Sequence, residues 1–127
     1  MNLAEIEHNV ANLDVSRGFD LIYDLLRAYG IPNASISRLR SGTYNRSKLE
    51  SERLWKGKLY YCCVEDDGDL YVLIDDAKND ERIIREQPRF LIVRNNTRLL
   101  AVDVRTETTL DMSLSDLPSH TAFFLPG

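Results

Sequence analysis

The sequence predicts an α+β domain. N-terminal helices, two of them a helix-turn-helix-like pair, precede a small mixed or antiparallel sheet with one or two further helices. Three observations carry this. Apolar residues recur at helical intervals up to residue 41, interrupted around residues 14–16 and at Gly30-Ile31-Pro32. Around residues 55–61 and again over 110–114 the period shortens to two. Phe90-Leu91-Ile92-Val93 is apolar on both faces, as a buried central strand is.

Asn2 and Glu5 stand at capping-box spacing, and Leu3, Ile6, Val10 and Leu13 follow on one face, which predicts a helix over 3–13. Asp14 or Ser16 can cap the next helix, expected over 16–29 with Phe19, Ile22, Leu25, Leu26 and Tyr29 as its stripe. Gly30 suits a left-handed C-terminal cap, and Pro32 stops propagation. Asn33 is the expected N-cap of a third helix over 34–41, with Ile36 and Leu39 inward and Gly42 at its end.

Thr43 to Arg53 is polar, and either a loop or a short helix over 47–54 fits it. Alternation of Leu59 and Tyr61 with Lys58 and Tyr60 predicts a strand over 57–64, and Asp66-Asp67-Gly68-Asp69 is a turn signal. Residues 70–86 allow two readings. Tyr71, Val72 and Ile74 have strand chemistry, whereas Leu70, Leu73, Ile74 and Ala77 keep helical spacing behind a capping Asp69. A helix over 69–78 and a second over 80–86 are preferred to a hairpin with the preceding strand. After the strand at 90–93, Asn95-Asn96 tolerates positive φ and makes a hairpin turn, and 99–104 returns. Leu110, Met112 and Leu114 alternate with Asp111 and Ser113 in an edge strand. Two phenylalanines in HTAFFLPG are expected to be exposed, as if the chain continued beyond them.

A length of 127 residues fits one domain, mainly helical over 1–54 and sheet-rich over 55–127. No apolar run approaches the ~20 residues of a membrane helix, and the acidic start MNLAEIEHNV is no signal peptide. Cys62 and Cys63 are adjacent and point to opposite sides of a strand, so the simplest expectation is a reduced, cytoplasmic protein. Cys/His spacing assembles no zinc site.

The net charge of −4 hides a strong asymmetry. Residues 27–58 hold eight basic side chains and two acids, a net of +6, which leaves −10 for the remainder. A basic segment in an acidic chain is a directional surface for phosphates. In the helix pair of 20–45, Asn33, Ser35, Ser37, Arg38 and Arg40 face outward, and Tyr44, Arg46 and Lys48 extend the basic tract. Serine and asparagine donate to phosphates or base edges, and arginine forks onto guanine. YGIPNASISRLRSG looks like the turn and recognition helix of phage-repressor-like regulators, except that Leu26 stands where that motif places a small residue. The competing reading is two packed helices with a solvated arginine face.

Three other constellations are present in the sequence. A Mg²⁺-dependent nuclease of the PD-(D/E)xK type needs carboxylates and a lysine converging on a strand pair. Asp75-Asp76-Ala77-Lys78 offers Asp76 and Lys78, with the acidic turn Glu65–Asp69 nearby, but a solvated surface is the plainer reading and a helix would be the wrong element. Cys62 or Cys63 as nucleophile lacks a nearby base, and buried strand cysteines are the plainer reading. Trp55 with Tyr44, Tyr60 and Tyr61 among lysines suits a base-stacking platform, although such aromatics are more often core.

Taken as an ordered series, LLRAYGIPNASISRLRSGTYNRSK, LWKGKLYY and the stretch from QPRFLIVRNN to SHTAFFLP resemble the N-terminal region of large bacterial restriction–modification proteins. These are type II (IIS/IIG-like) enzymes with an adenine-specific DNA methyltransferase. The resemblance spans about residues 19–126. It implies a DNA partner, a methyltransferase domain downstream in the same chain, and S-adenosylmethionine as cofactor of that parent. This chain has no Asn/Asp-Pro-Pro-aromatic motif, so no catalytic residue or cofactor is assigned to it. Related enzymes carry an N-terminal nuclease with a late strand like Pro88–Val93. The resemblance therefore implies a degenerate restriction-endonuclease-like core, with Mg²⁺ only if nuclease activity survives. The expected role is an accessory domain giving DNA-backbone or interdomain contacts; the alternatives are that nuclease and a purely structural docking domain.

Overall fold

A computed structural model describes residues 1–64 and 68–126. Helix α1 (Leu3–Ala11) starts as expected: the Asn2 side chain accepts a hydrogen bond from Glu5 N–H at 2.9 Å. A 3₁₀ turn at Gly18–Asp20 leads into α2 (Leu21–Ala28). Neither Asp14 nor Ser16 caps α2. Asp14 instead closes a local turn by accepting from Ser16 N–H at 3.0 Å.

Gly30, at φ +90°, ends α2 in a Schellman arrangement, with Ile31 N–H reaching Leu26 C=O (3.1 Å) and Gly30 N–H reaching Arg27 C=O (3.0 Å). Helix α3 (Asn33–Ser41) begins one residue early. Pro32 occupies the cap position, and the Asn33 side chain accepts from Arg27 Nε at 2.9 Å rather than capping. Arginine, a charged donor, outcompetes the helix's own amides for that oxygen.

Five strands form one sheet in sequential order: β1 (Glu52–Trp55), β2 (Leu59–Cys63), β3 (Phe90–Arg94), β4 (Arg98–Asp103) and β5 (Thr108–Ser113). Only β2 and β3 are parallel. Their crossover contains α4 (Leu70–Lys78) and α5 (Glu81–Glu86), so the helical reading of 70–86 holds. Asp69 caps α4 by accepting from Tyr71 N–H (3.0 Å) and Val72 N–H (3.4 Å). The expected turn at 66–69 includes Asp66 and Asp67, which lie outside the described residues.

Strand β1 falls where a loop or short helix was expected. It pairs with β2 across Lys56-Gly57-Lys58, with Gly57 at φ +74°. At the β3–β4 hairpin Asn95 does not use positive φ. Its Oδ1 accepts from Thr97 N–H (3.0 Å) and Arg98 N–H (2.8 Å), an Asx-type closure.

Strand alternation separates two cores. Leu59, Tyr61, Ile92, Leu99, Ala101, Leu110 and Met112 face α1–α3 and the C-terminal 3₁₀ run Leu114–Phe124. Leu54, Tyr60, Cys62, Leu91, Val93, Leu100 and Val102 face α4 and α5. β3 and β4 are therefore covered on both faces, as their apolar runs require. β5 is an edge strand with Leu110 and Met112 buried and Asp111 exposed.

The C-terminal phenylalanines are not exposed as expected. Phe124 is buried and Phe123 half-buried. The Phe124 ring lies edge-on to Phe90 (5.4 Å) and Tyr29 (6.1 Å), while Tyr29 Oη donates to Thr121 C=O at 2.6 Å. Burial of such rings contributes roughly 1.5–3 kcal/mol each, enough to close the run over the sheet.

Candidate nucleic-acid interface

Helix α3 buries Ile36 and Leu39 against the helical core. That fixes its outer face: Asn33, Ser37, Arg38 and Arg40 are exposed and Ser35 is half-buried. Past Gly42 (φ +103°) the chain runs alongside β1, with an isolated bridge from Asn45 to Trp55. Arg46 N–H donates to Leu54 C=O at 2.7 Å. Asn45 Oδ1 accepts from Ser47 N–H (3.0 Å) and Leu54 N–H (2.9 Å). This registry leaves Arg46 and Lys48 exposed and Tyr44 half-buried.

Beneath that segment lies a buried polar clamp. The Glu52 carboxylate, 7% exposed, accepts from Ser47 Oγ (2.8 Å), Tyr60 Oη (2.7 Å) and Arg82 Nη1 (2.9 Å). Burial pushes the Glu52 carboxyl up, but the bonds from Arg82, Tyr60 and Ser47 outweigh it and hold the group below its ordinary value. Burial, with the bond to Glu52 added, drives the Tyr60 hydroxyl far up, so it stays a donor. The clamp joins β1, β2, α5 and the loop of Ser47 at one point.

Aromatic rings order the arginines. Arg38 lies over the Tyr44 ring (5.7 Å) and donates to Tyr44 Oη (3.2 Å); Arg40 covers the Tyr23 ring (4.4 Å). Arg53 spans Phe19 (4.7 Å) and Tyr23 Oη (2.9 Å). Arg27 is held by Asp24 at 3.2 Å. Among the described residues, no carboxylate comes within ion-pair distance of Arg38, Arg40, Arg46 or Lys48. Ring contacts order Arg38 and Arg40, Arg46 and Lys48 are exposed beside them, and none of the four charges is compensated among the described residues, the arrangement that favours an incoming anion.

A family model described as "MmeI, N-terminal domain" matches residues 1–127. The chain belongs to the MmeI N-terminal domain family. Over 127 residues, 98% of this chain, it is 32% identical to the protein named DNA methyltransferase A from Bacillus subtilis (strain 168). The chain spans only 14% of that relative's length. No solved structure matches.

In this MmeI N-terminal domain the acid-x-lysine triplet is on α4, not on a strand. Asp76 and Lys78 are exposed there. Strand β2 presents Tyr60, Tyr61 and Cys62 to the two cores instead. Among the described residues no three His, Cys, Asp or Glu side chains gather to hold a metal ion, and Glu65, Asp66 and Asp67 of the acidic turn lie outside the described residues. Cys62 is buried, and burial raises its thiol pKa, the opposite of what a nucleophile needs.

The stacking platform splits. Tyr60 and Tyr61 are core residues, whereas Tyr44 and Trp55 stack on each other at 5.4 Å and 17° and remain half-buried. Leu26, the departure from the helix-turn-helix motif, packs on the core and lines a groove beside Trp55. Sequence reasoning missed β1 and the clamp through Arg82. The available signal was Gly57 in a three-residue connection between Leu54-Trp55 and Leu59-Tyr60.

Proposed function

We propose that this chain is the N-terminal accessory module of a restriction–modification DNA methyltransferase, acting in the cytoplasm and not itself catalytic. It holds the DNA backbone through α3 and the segment from Tyr44 to Lys48. The observation that carries this is a set of four exposed cations, Arg38, Arg40, Arg46 and Lys48, with no carboxylate in ion-pair range among the described residues, on an otherwise acidic chain. The family match and the relative's name support the DNA setting. Methyl transfer, with S-adenosylmethionine, belongs to a downstream domain of the same parent, which also supplies the interdomain partner. Cations that hold phosphates carry no sequence information through those contacts, so the module contributes affinity rather than sequence choice.

The experiment is a titration of the chain with duplex DNA at several salt concentrations. Affinity is expected to fall with salt, the logarithmic slope approaching about −0.9 for each phosphate neutralised. Each alanine substitution at Arg38, Arg40, Arg46 or Lys48 is expected to weaken binding to all sequences alike and to reduce the slope by about 1. Absence of binding at low salt, or binding that ignores salt, defeats the reading.

A further inference from the structure

Beyond the α3 face, a groove of about 380 Å³ opens between α2 and the sheet. Its walls are rings and aliphatic carbon from Leu26, Tyr29, Trp55, Phe90 and Phe124, while Lys58 and Arg105 also line it. Both cations are exposed, and among the described residues neither has a carboxylate within ion-pair distance. Arg89, which also lines the groove, is already committed to Asp103 at 3.1 Å. An apolar aromatic slot edged by two free cations suits a ligand that is flat and apolar at one end and anionic at the other.

The Trp55 ring connects this groove to the arginine face. Tyr44 stacks on Trp55 at 5.4 Å, and Arg38 lies over Tyr44 at 5.7 Å. A ladder of guanidinium, phenol and indole thus runs from α3 into the groove. Stacked aromatics beside backbone-binding cations are the working parts of single-strand recognition, because every base has a π-face.

The geometry points to a site for one unpaired nucleotide of single-stranded DNA, its base in the groove against Trp55 and its phosphate between Lys58 and Arg105. This deepens the proposed function and rests on DNA being the partner. It differs in residues and in strand state, so the two readings fail separately.

Trp55 is the only tryptophan, and its emission reports on the groove directly. A short single-stranded oligothymidylate is added to the chain at low salt, and labelled duplex DNA is titrated in parallel by anisotropy. The oligothymidylate is expected to quench Trp55. The exposed pair Lys58→Ala and Arg105→Ala is expected to weaken that binding roughly tenfold or more, while duplex binding holds. Arg40→Ala with Lys48→Ala is expected to do the reverse. An oligomer of abasic sugar-phosphate is expected to leave the emission unchanged. The assignment is overturned if oligothymidylate leaves Trp55 unaffected, if the Lys58/Arg105 double variant quenches as well as the parent, or if the abasic oligomer quenches equally. Quenching without any duplex binding removes the α3-face reading and leaves the groove assignment standing.

Discussion

Substituting Glu52 by alanine is expected to loosen the basic segment from below. The carboxylate accepts four hydrogen bonds, one each from Ser47 and Tyr60 and two from Arg82. The three donors fare differently once it is gone. Arg82 keeps Asp80 at 3.2 Å, and its side chain is 35% exposed, so water and Asp80 recover most of its loss. Ser47 still accepts from Leu49 N–H at 3.1 Å. Tyr60 is 5% exposed and its hydroxyl is left with only the weak sulfur acceptor of Cys62, which costs about 1–3 kcal/mol. The charged bond lost by Ser47 and the emptied methylene space add about 1 kcal/mol. The sum is about 3 kcal/mol, or a fall in Tm on the order of 10 °C for a chain of this size. Circular-dichroism melting at neutral pH measures it. A Tm within about 2 °C of the parent refutes the reasoning. Tyr60→Phe removes the stranded hydroxyl, so Glu52→Ala with Tyr60→Phe is expected to be less destabilised than the sum of the single changes.

The same site carries a pH signature. Glu52 titrates below its ordinary value of 4.5 in the folded chain. Its contribution to stability is therefore complete above 4.5 and is lost as the pH falls through the depressed folded value. Glu52→Gln is expected to be less stable than the parent at neutral pH and to lose less stability on acidification over that window. Parallel acid-melting curves for the two proteins remove Glu52 as the cause.

Two local substitutions test the helix ends. Gln87 terminates α5 at φ 52°, a left-handed conformation that glycine adopts without strain, so Gln87→Gly is expected to raise stability by about 0.5–1 kcal/mol in urea denaturation. Asp69→Ala removes the cap of α4 and is expected to cost about 1 kcal/mol; an unchanged midpoint in the same assay means the cap bonds to Tyr71 and Val72 carry no net stability.

Much of the fold follows from local chemistry that a sequence displays. Asn2, Gly30 and Asp69 mark helix ends through bonds that span a few residues, and the structure uses each as expected. Period-two alternation exposes which of Leu91, Ile92 and Val93 share a face, because side chains on a strand alternate whatever covers them. The helical state of 70–78 was ambiguous only because Leu70, Leu73, Ile74 and Ala77 satisfy helix spacing while Tyr71 and Val72 suit a strand; capping by Asp69 and packing onto β3 and β4 resolve it.

What failed locally was decided by competition between distant partners. Asn33 had the chemistry of a cap, but Arg27 reached its oxygen. The segment 52–55 had too little periodicity to declare a strand, yet β2 supplied the pairing and Arg82, thirty residues away, supplied the counter-charge for Glu52. Phe124 read as exposed until Tyr29 and Phe90 were placed against it. By itself, then, the sequence determined the α+β class, most helix and strand positions, and the basic character of residues 27–58. Only the tertiary structure decided which of those cations have no carboxylate beside them among the described residues, that Tyr44 and Trp55 stack, and that Lys58 and Arg105 flank an aromatic groove. The physical reason is reach: caps and periodicity act within one or two turns of chain, whereas charge compensation and ring packing depend on atoms that only folding brings within a few ångströms.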